Sequence, residues 1–71
     1  MNKEKFRALL ATYGHTYKNI ANLLEITEQS VVNKVNETRS EFKQSEIRKI
    51  SYFYNLDSEE IKSIFFDLKV S

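Results

Sequence analysis

Apolar residues recur along this chain with the spacing of α-helices. Near the start, one set follows the i, i+3, i+4, i+7 pattern of a single helix face: Phe6, Leu9, Leu10 and Tyr13. The following Gly14 is a suitable C-terminal cap because glycine adopts positive φ without steric cost. The pattern predicts a first helix over residues 3–13.

A second pattern marks four further helix starts. An apolar residue, a capping position and an apolar residue four positions after the cap recur as Ile26-Thr27-Val31, Leu56-Asp57-Ile61, Phe42-Lys43-Ile47 and, more loosely, His15-Thr16-Ile20. Glu46 and Glu60 occupy the acidic position of a capping box, although Lys43 is a poor cap. These starts predict helices near 17–24, 28–36, 44–54 and 58–66. No strand alternation is convincing, so the expected fold is all-α, with five helices in one domain, residues 1–71.

Residues 16–37 form the most informative stretch. Its first helix has an apolar face, whereas its second offers only Val31 and Val35 as a clear core pair. With Val31 placed at zero on a helical wheel, Asn36, Gln29 and Asn33 fall at about 140°, 160° and 200°. The second helix therefore presents amides on the side away from the core.

This stretch resembles the helix-turn-helix of the Cro/repressor family, also called lambda-repressor-like or XRE. The likeness extends over about residues 5–66 and includes small regulators of phages of Gram-positive hosts. The matching residues are Ile20-Ala21, Leu24, Ile26-Thr27, Gln29-Ser30-Val31, Asn33-Lys34-Val35-Asn36, residues 40–47, and Leu56 to Phe66. Glu25 and Glu37 depart from the family, which often has glycine at both positions. The resemblance implies that the second helix enters the DNA major groove.

The expected base contacts come from the exposed side of that helix: Glu28, Gln29, Ser30, Val32 and Asn33. Gln and Asn can bond adenine bidentately, Glu can accept from cytosine, and Val can meet a thymine methyl. Glu28 has an equal alternative as an acid at the positive end of its helix, and Val32 as a core-edge residue. The expected contacts to the DNA backbone are Tyr17, Lys18, Thr27, Lys34, Asn36, Arg39, Ser40 and Lys43, with Tyr17 and Lys18 implied by the resemblance.

The charge distribution is modestly favourable to an anionic partner. The net charge of the 71 residues is +1. It divides into +3 for residues 1–56 and −2 for residues 57–71. Such asymmetry suits a protein with one end toward phosphates, and it suits an ordinary solvated surface equally well.

Composition argues against several other classes. The chain has no Cys and one His, no phosphate-binding glycine loop and no apolar run long enough for a membrane helix. We therefore expect no enzyme activity, metal, cofactor or small-molecule ligand, no membrane association, and a cytoplasmic location. His15 is expected at a helix junction, and Tyr13, Phe53 and Tyr54 in the core.

The C-terminal region, residues 57–71, is the expected dimer contact, through Phe65, Phe66, Leu68 and Val70. Phe65 and Phe66 lie about 100° apart on a helix, so both cannot enter one small core. An exposed Phe beside Leu68 and Val70 would form an apolar contact patch, and residues 67–70 could pair as an edge strand. In the alternative, Phe66 and Leu68 fold back over the first helix.

The sequence thus predicts a transcriptional regulator, a Cro-like repressor that binds a double-stranded DNA operator as a homodimer. The leading alternative is a protein-binding modulator, such as an antirepressor, that uses the same fold against a repressor. A third alternative is the antitoxin of a toxin–antitoxin pair, which would need a partner-binding extension that the sequence does not reveal.

Overall fold

The computed structural model of the protein describes residues 1–66, all in five α-helices and their connections. They are α1 (Lys3–Thr12), α2 (Tyr17–Leu24), α3 (Glu28–Asn36), α4 (Gln44–Phe53) and α5 (Ser58–Phe65). The predicted all-α class with five helices is confirmed, and the predicted bounds differ by at most one residue. Within residues 1–66 there is no strand. The predicted edge strand at 67–70 lies outside the described residues.

The helix starts are fixed by local hydrogen bonds of the expected kind. Thr27 Oγ1 accepts from the Ser30 N–H at 3.1 Å. Asp57 and Glu60 form a full capping box, with reciprocal bonds of 2.8 and 3.1 Å. At α4 only half of such a box is made. Glu46 accepts from the Lys43 N–H at 2.8 Å, and a lysine side chain has no acceptor to return the bond.

Four helices are followed by a residue in the left-handed region: α1 by Gly14, α2 by Glu25, α3 by Glu37 and α4 by Asn55, whose φ is 54°. Gly14 after α1 has φ +67°, whereas Glu25 and Glu37, which cap α2 and α3, have φ of 58° and 54°. Glu25 and Glu37, which stand where Cro/repressor proteins often have glycine, therefore occupy positions with positive φ. A non-glycine residue there costs about 1–2 kcal/mol relative to the right-handed conformation.

The core lies where the five helices meet. α2 packs on α3 and α4, and α5 packs on α1 and α4. The Asn2 N–H also bonds the Ile64 carbonyl at 2.7 Å, which joins the start of α1 to the end of α5. The buried apolar residues are Phe6, Leu10, Ile20, Ala21, Leu24, Val31, Val35, Phe42, Ile47, Ile50, Tyr54, Ile64 and Phe65.

Two aromatic residues expected in the core are at the surface instead. Tyr13 is 51% exposed and Phe53 is 57% exposed, whereas Tyr54 is buried. Tyr13 is the residue that caps the C-terminus of α1, and Phe53 is the last residue of α4. Each ring lies 4.9 Å from the Tyr54 ring, centroid to centroid, so the pair covers Tyr54 rather than entering the core.

His15 lies at the junction of α1 and α2, as expected. Its Nδ1 is 2.8 Å from the Tyr54 hydroxyl, which links this junction to the end of α4. Burial raises the pKa of Tyr54, and the nearby Tyr13 adds to this effect. Ile26, in the turn between α2 and α3, is only partly buried against the core. This short turn is compatible with the predicted helix-turn-helix.

Candidate nucleic-acid interface

The outer side of α3 carries the polar residues that the sequence placed there. Val31 and Val35 are fully buried, which fixes the rotation of the helix. Gln29 and Asn36 are then exposed, and Ser30, Val32 and Asn33 are half-buried. The helix therefore presents amides to solvent over its whole length.

Gln29 and Asn33 form a bonded pair on this surface. The Gln29 Nε2 donates to Asn33 Oδ1 at 3.1 Å, one helical turn along. This bond uses one side-chain N–H of Gln29 and the side-chain oxygen of Asn33. It leaves the side-chain oxygen of Gln29 as an acceptor and the side-chain NH₂ of Asn33 as a donor. An adenine edge in the major groove carries the complementary N6 donor and N7 acceptor.

Ser30 and Thr27 are engaged with each other at the start of α3. Besides the capping bond, the Thr27 hydroxyl donates to Ser30 Oγ at 3.1 Å. Ser30 is therefore partly committed to the cap. Glu28 is exposed in the first turn, where its charge also favours the positive end of the helix, and Val32 is half-buried.

Four of the predicted contacts to the DNA backbone are exposed residues that precede or follow α3 in the chain. Lys18 at the start of α2 is exposed, as are Arg39, Ser40 and Lys43 in the loop after α3. They are therefore available to a partner that lies along α3.

Two residues predicted to contact the DNA backbone are hydrogen-bonded to side chains of α1. The sequence analysis did not include α1 in the site. Asn36 Oδ1 accepts from Lys3 Nζ at 3.2 Å, and the Tyr17 hydroxyl accepts from Arg7 Nε at 3.3 Å. The bond to Tyr17 raises the pKa of Arg7. The i, i+4 spacing of Lys3 and Arg7 was the available signal, since it places both on one side of α1.

Lys34 corrects the sequence expectation. It was expected to contact DNA phosphate, but it is only 8% exposed, and its Nζ lies 3.2 Å from Glu46 Oε1. The same carboxylate oxygen accepts from the Lys43 N–H. Lys34 thus joins α3 to the start of α4 and is removed from the set of phosphate contacts.

The exposed charge of this region is nearly balanced. Within residues 17–43 the exposed basic side chains are Lys18, Arg39 and Lys43, and the exposed acidic ones are Glu25, Glu28, Glu37 and Glu41. Three against four gives a formal charge of −1. The exposed charge of residues 17–43 alone would therefore attract phosphates only weakly.

The structure treats the residues predicted for the C-terminal dimer contact differently from one another. Phe66 is 52% exposed, as expected of a contact residue. Phe65, also assigned to the dimer, is buried, and its ring packs 6.0 Å from Phe6 and 5.8 Å from Phe42, so it belongs to the core. Leu68 and Val70 lie outside the described residues. Among the helices that the structure describes, none is long and apolar enough to span a membrane.

Comparison with known proteins adds a family but no function. A family model described as "Protein of unknown function (DUF739)" matches residues 6–68. No curated protein and no solved structure matches the chain significantly. The resemblance to Cro/repressor proteins and the phage origin therefore stay predictions from the sequence.

Proposed function

The chain belongs to the DUF739 family of proteins of unknown function, and from the geometry of α3 we propose that it binds double-stranded DNA sequence-specifically as a Cro-like transcriptional regulator. In this proposal α3 enters the major groove. The observation that carries it is the Gln29–Asn33 pair, which offers one acceptor and one donor on the outer side of α3.

The flanks of α3 supply the contacts that would position the protein on DNA. Lys18, Arg39, Ser40 and Lys43 are exposed and have donors for phosphate oxygens. Tyr17, Thr27 and Asn36 add neutral donors at the helix ends. The Thr27 hydroxyl already bonds Ser30, so it contributes less than the others.

A dimer is the working unit that this proposal requires. One domain with a region of charge −1 around α3 neutralises few phosphates, so a monomer is expected to bind weakly. Two linked domains would place their recognition helices about 34 Å apart on a near-palindromic site. The exposed Phe66 marks the proposed contact surface.

The near balance of charge also supports a second candidate, a modulator that binds a repressor protein. A surface of amides with three exposed bases and four exposed acids resembles the polar rim of a protein interface more than a phosphate-binding face. In this candidate the same side of α3 meets a protein rather than a base-pair edge.

The decisive experiment measures binding to duplexes tiled across the DNA that flanks the gene. Gln29→Ala and Asn33→Ala should each lose about 1–3 kcal/mol on the preferred duplex and relax preference at one base pair. Asn22→Ala is the matched control, because Asn22 is an exposed amide on α2 that lines a groove with Phe53. It should bind like the wild type.

Two other results would change the assignment. If Gln29→Ala and Asn33→Ala footprint the same site with wild-type affinity, α3 does not read the bases. If the wild type binds no duplex but forms a stoichiometric complex with a purified repressor encoded in the same genomic neighbourhood, the modulator function replaces the proposed one.

A further inference from the structure

Helix α1 brings two cations to the side of the molecule where α2 begins and α3 ends. Lys3 and Arg7 are four residues apart, so they share one side of α1. Lys3 bonds Asn36, the last residue of α3, and Arg7 bonds Tyr17, the first residue of α2. Each contact therefore joins α1 to one end of the proposed recognition unit.

The direction of these two bonds determines what the surface can accept. In each, the neutral partner provides its oxygen, which leaves the Tyr17 O–H and the Asn36 NH₂ as donors. The Lys3 ammonium and the Arg7 guanidinium have further N–H groups. The four side chains thus offer further hydrogen-bond donors and two positive charges, which suit anionic oxygens.

The positive charges of Lys3 and Arg7 matter because residues 17–43 have no net positive charge of their own. Residues 17–43 have an exposed charge of −1, and Lys3, Arg7 and the exposed Glu4 together bring the combined surface to 0. Glu4, the exposed neighbour that interacts with Arg7, reduces this gain on one flank. The start of α1 therefore offsets the negative charge of residues 17–43.

We infer that Lys3 and Arg7 contact DNA phosphates and hold Asn36 and Tyr17 in position to contact the same strand. This inference rests on the proposed DNA-binding function and extends the binding surface from α2 and α3 to α1. Lys5, also on α1, is excluded from it, because its ammonium bonds Ser63 on α5.

The test compares single charge removals on α1. Lys3→Gln, Arg7→Gln and the control Lys5→Gln each remove one positive charge from the same helix. Fluorescence anisotropy on a mixed-sequence duplex, from about 50 to 200 mM KCl, gives the slope of log K against log salt. Each of the first two variants should lower the slope by about 0.9 and weaken binding about fivefold at 0.15 M salt. Lys5→Gln should leave the slope unchanged.

The outcomes separate this inference from the function on which it rests. Wild-type slopes in Lys3→Gln and Arg7→Gln, with wild-type DNA binding intact, overturn the inference alone. A reduced slope in these two variants supports it even if Gln29→Ala and Asn33→Ala have no effect, which would refute base reading by α3. A wild type that binds no duplex at low salt overturns both. Arg7→Lys, which keeps the charge, should restore the slope and so excludes a folding defect.

Discussion

The ion pair between Lys34 and Glu46 offers the sharpest test of how α3 is held. Lys34→Met removes the ammonium and keeps most of the methylene packing. Glu46→Gln removes the negative charge but keeps an oxygen that can accept from the Lys43 N–H, so the α4 capping bond survives. The two changes therefore isolate the charge interaction from packing and from capping.

The expected size follows from the separation and the burial. At 3.2 Å and an effective dielectric constant near 20, the attraction of the two charges is about 5 kcal/mol. The desolvation of both groups opposes it, since the side chains are 9% and 14% exposed. We expect a net coupling of about 1–3 kcal/mol, a large part of the roughly 4–10 kcal/mol that stabilises a domain of this size.

A double-mutant cycle measures this coupling directly. Urea unfolding followed by circular dichroism gives the free energy of unfolding of the wild type, both single variants and the double variant. Each single variant should lose about 2–4 kcal/mol, because one buried charge is left without its partner. The double variant should recover part of that loss. A coupling below about 0.5 kcal/mol would mean that the pair is effectively solvated and does not hold α3.

Three further predictions concern separate parts of the molecule. Glu25→Gly should raise stability by about 0.5–1 kcal/mol and Tm by several degrees, because relief of the positive-φ strain exceeds the added chain entropy; Glu25→Ala, which keeps the strain, should not. Because burial raises the pKa of Tyr54, the unfolded chain releases this proton first. Stability should therefore fall above about pH 10, and fall less in Tyr54→Phe, as measured by urea midpoints across pH. Phe66→Ser should weaken DNA binding and self-association in sedimentation velocity; one wild-type chain per operator and unchanged affinity in the variant would refute the proposed dimer.

The helices were predictable because their signals are local. Caps and apolar spacing placed four of the five helix starts through Thr16, Thr27, Lys43 and Asp57, and the spacing alone placed α1. The same spacing failed for Tyr13 and Phe53, since periodicity gives the side of a helix but not how far the neighbouring helices extend along it. At a helix end, a residue on the core side can overhang the core.

The candidate site shows a different limit. Lys34 and Val32 both lie about 80° from the core direction of α3, on opposite flanks, so a helical wheel treats them alike. α4 lies on the Lys34 side, which buries that residue and pairs it with Glu46, whereas Val32 is half-buried. The contacts of Lys3 and Arg7 could not be predicted from the sequence either, because they depend on how α1 lies against the ends of α2 and α3.

These contacts give α3 two kinds of electrostatic support that respond differently to salt. The Lys34–Glu46 pair is nearly buried and weakly screened, whereas the Lys3–Asn36 bond is exposed and competes with counterions. If Lys3 only contacts phosphate, added salt should lower affinity for preferred and mixed-sequence duplexes by the same factor. If Lys3 also positions Asn36 and the end of α3, added salt should lower the affinity for the preferred duplex more than the affinity for the mixed-sequence duplex. Lys3→Gln should abolish that difference between the two duplexes. The ratio of the two affinities across salt therefore separates charge attraction from the positioning of the recognition helix.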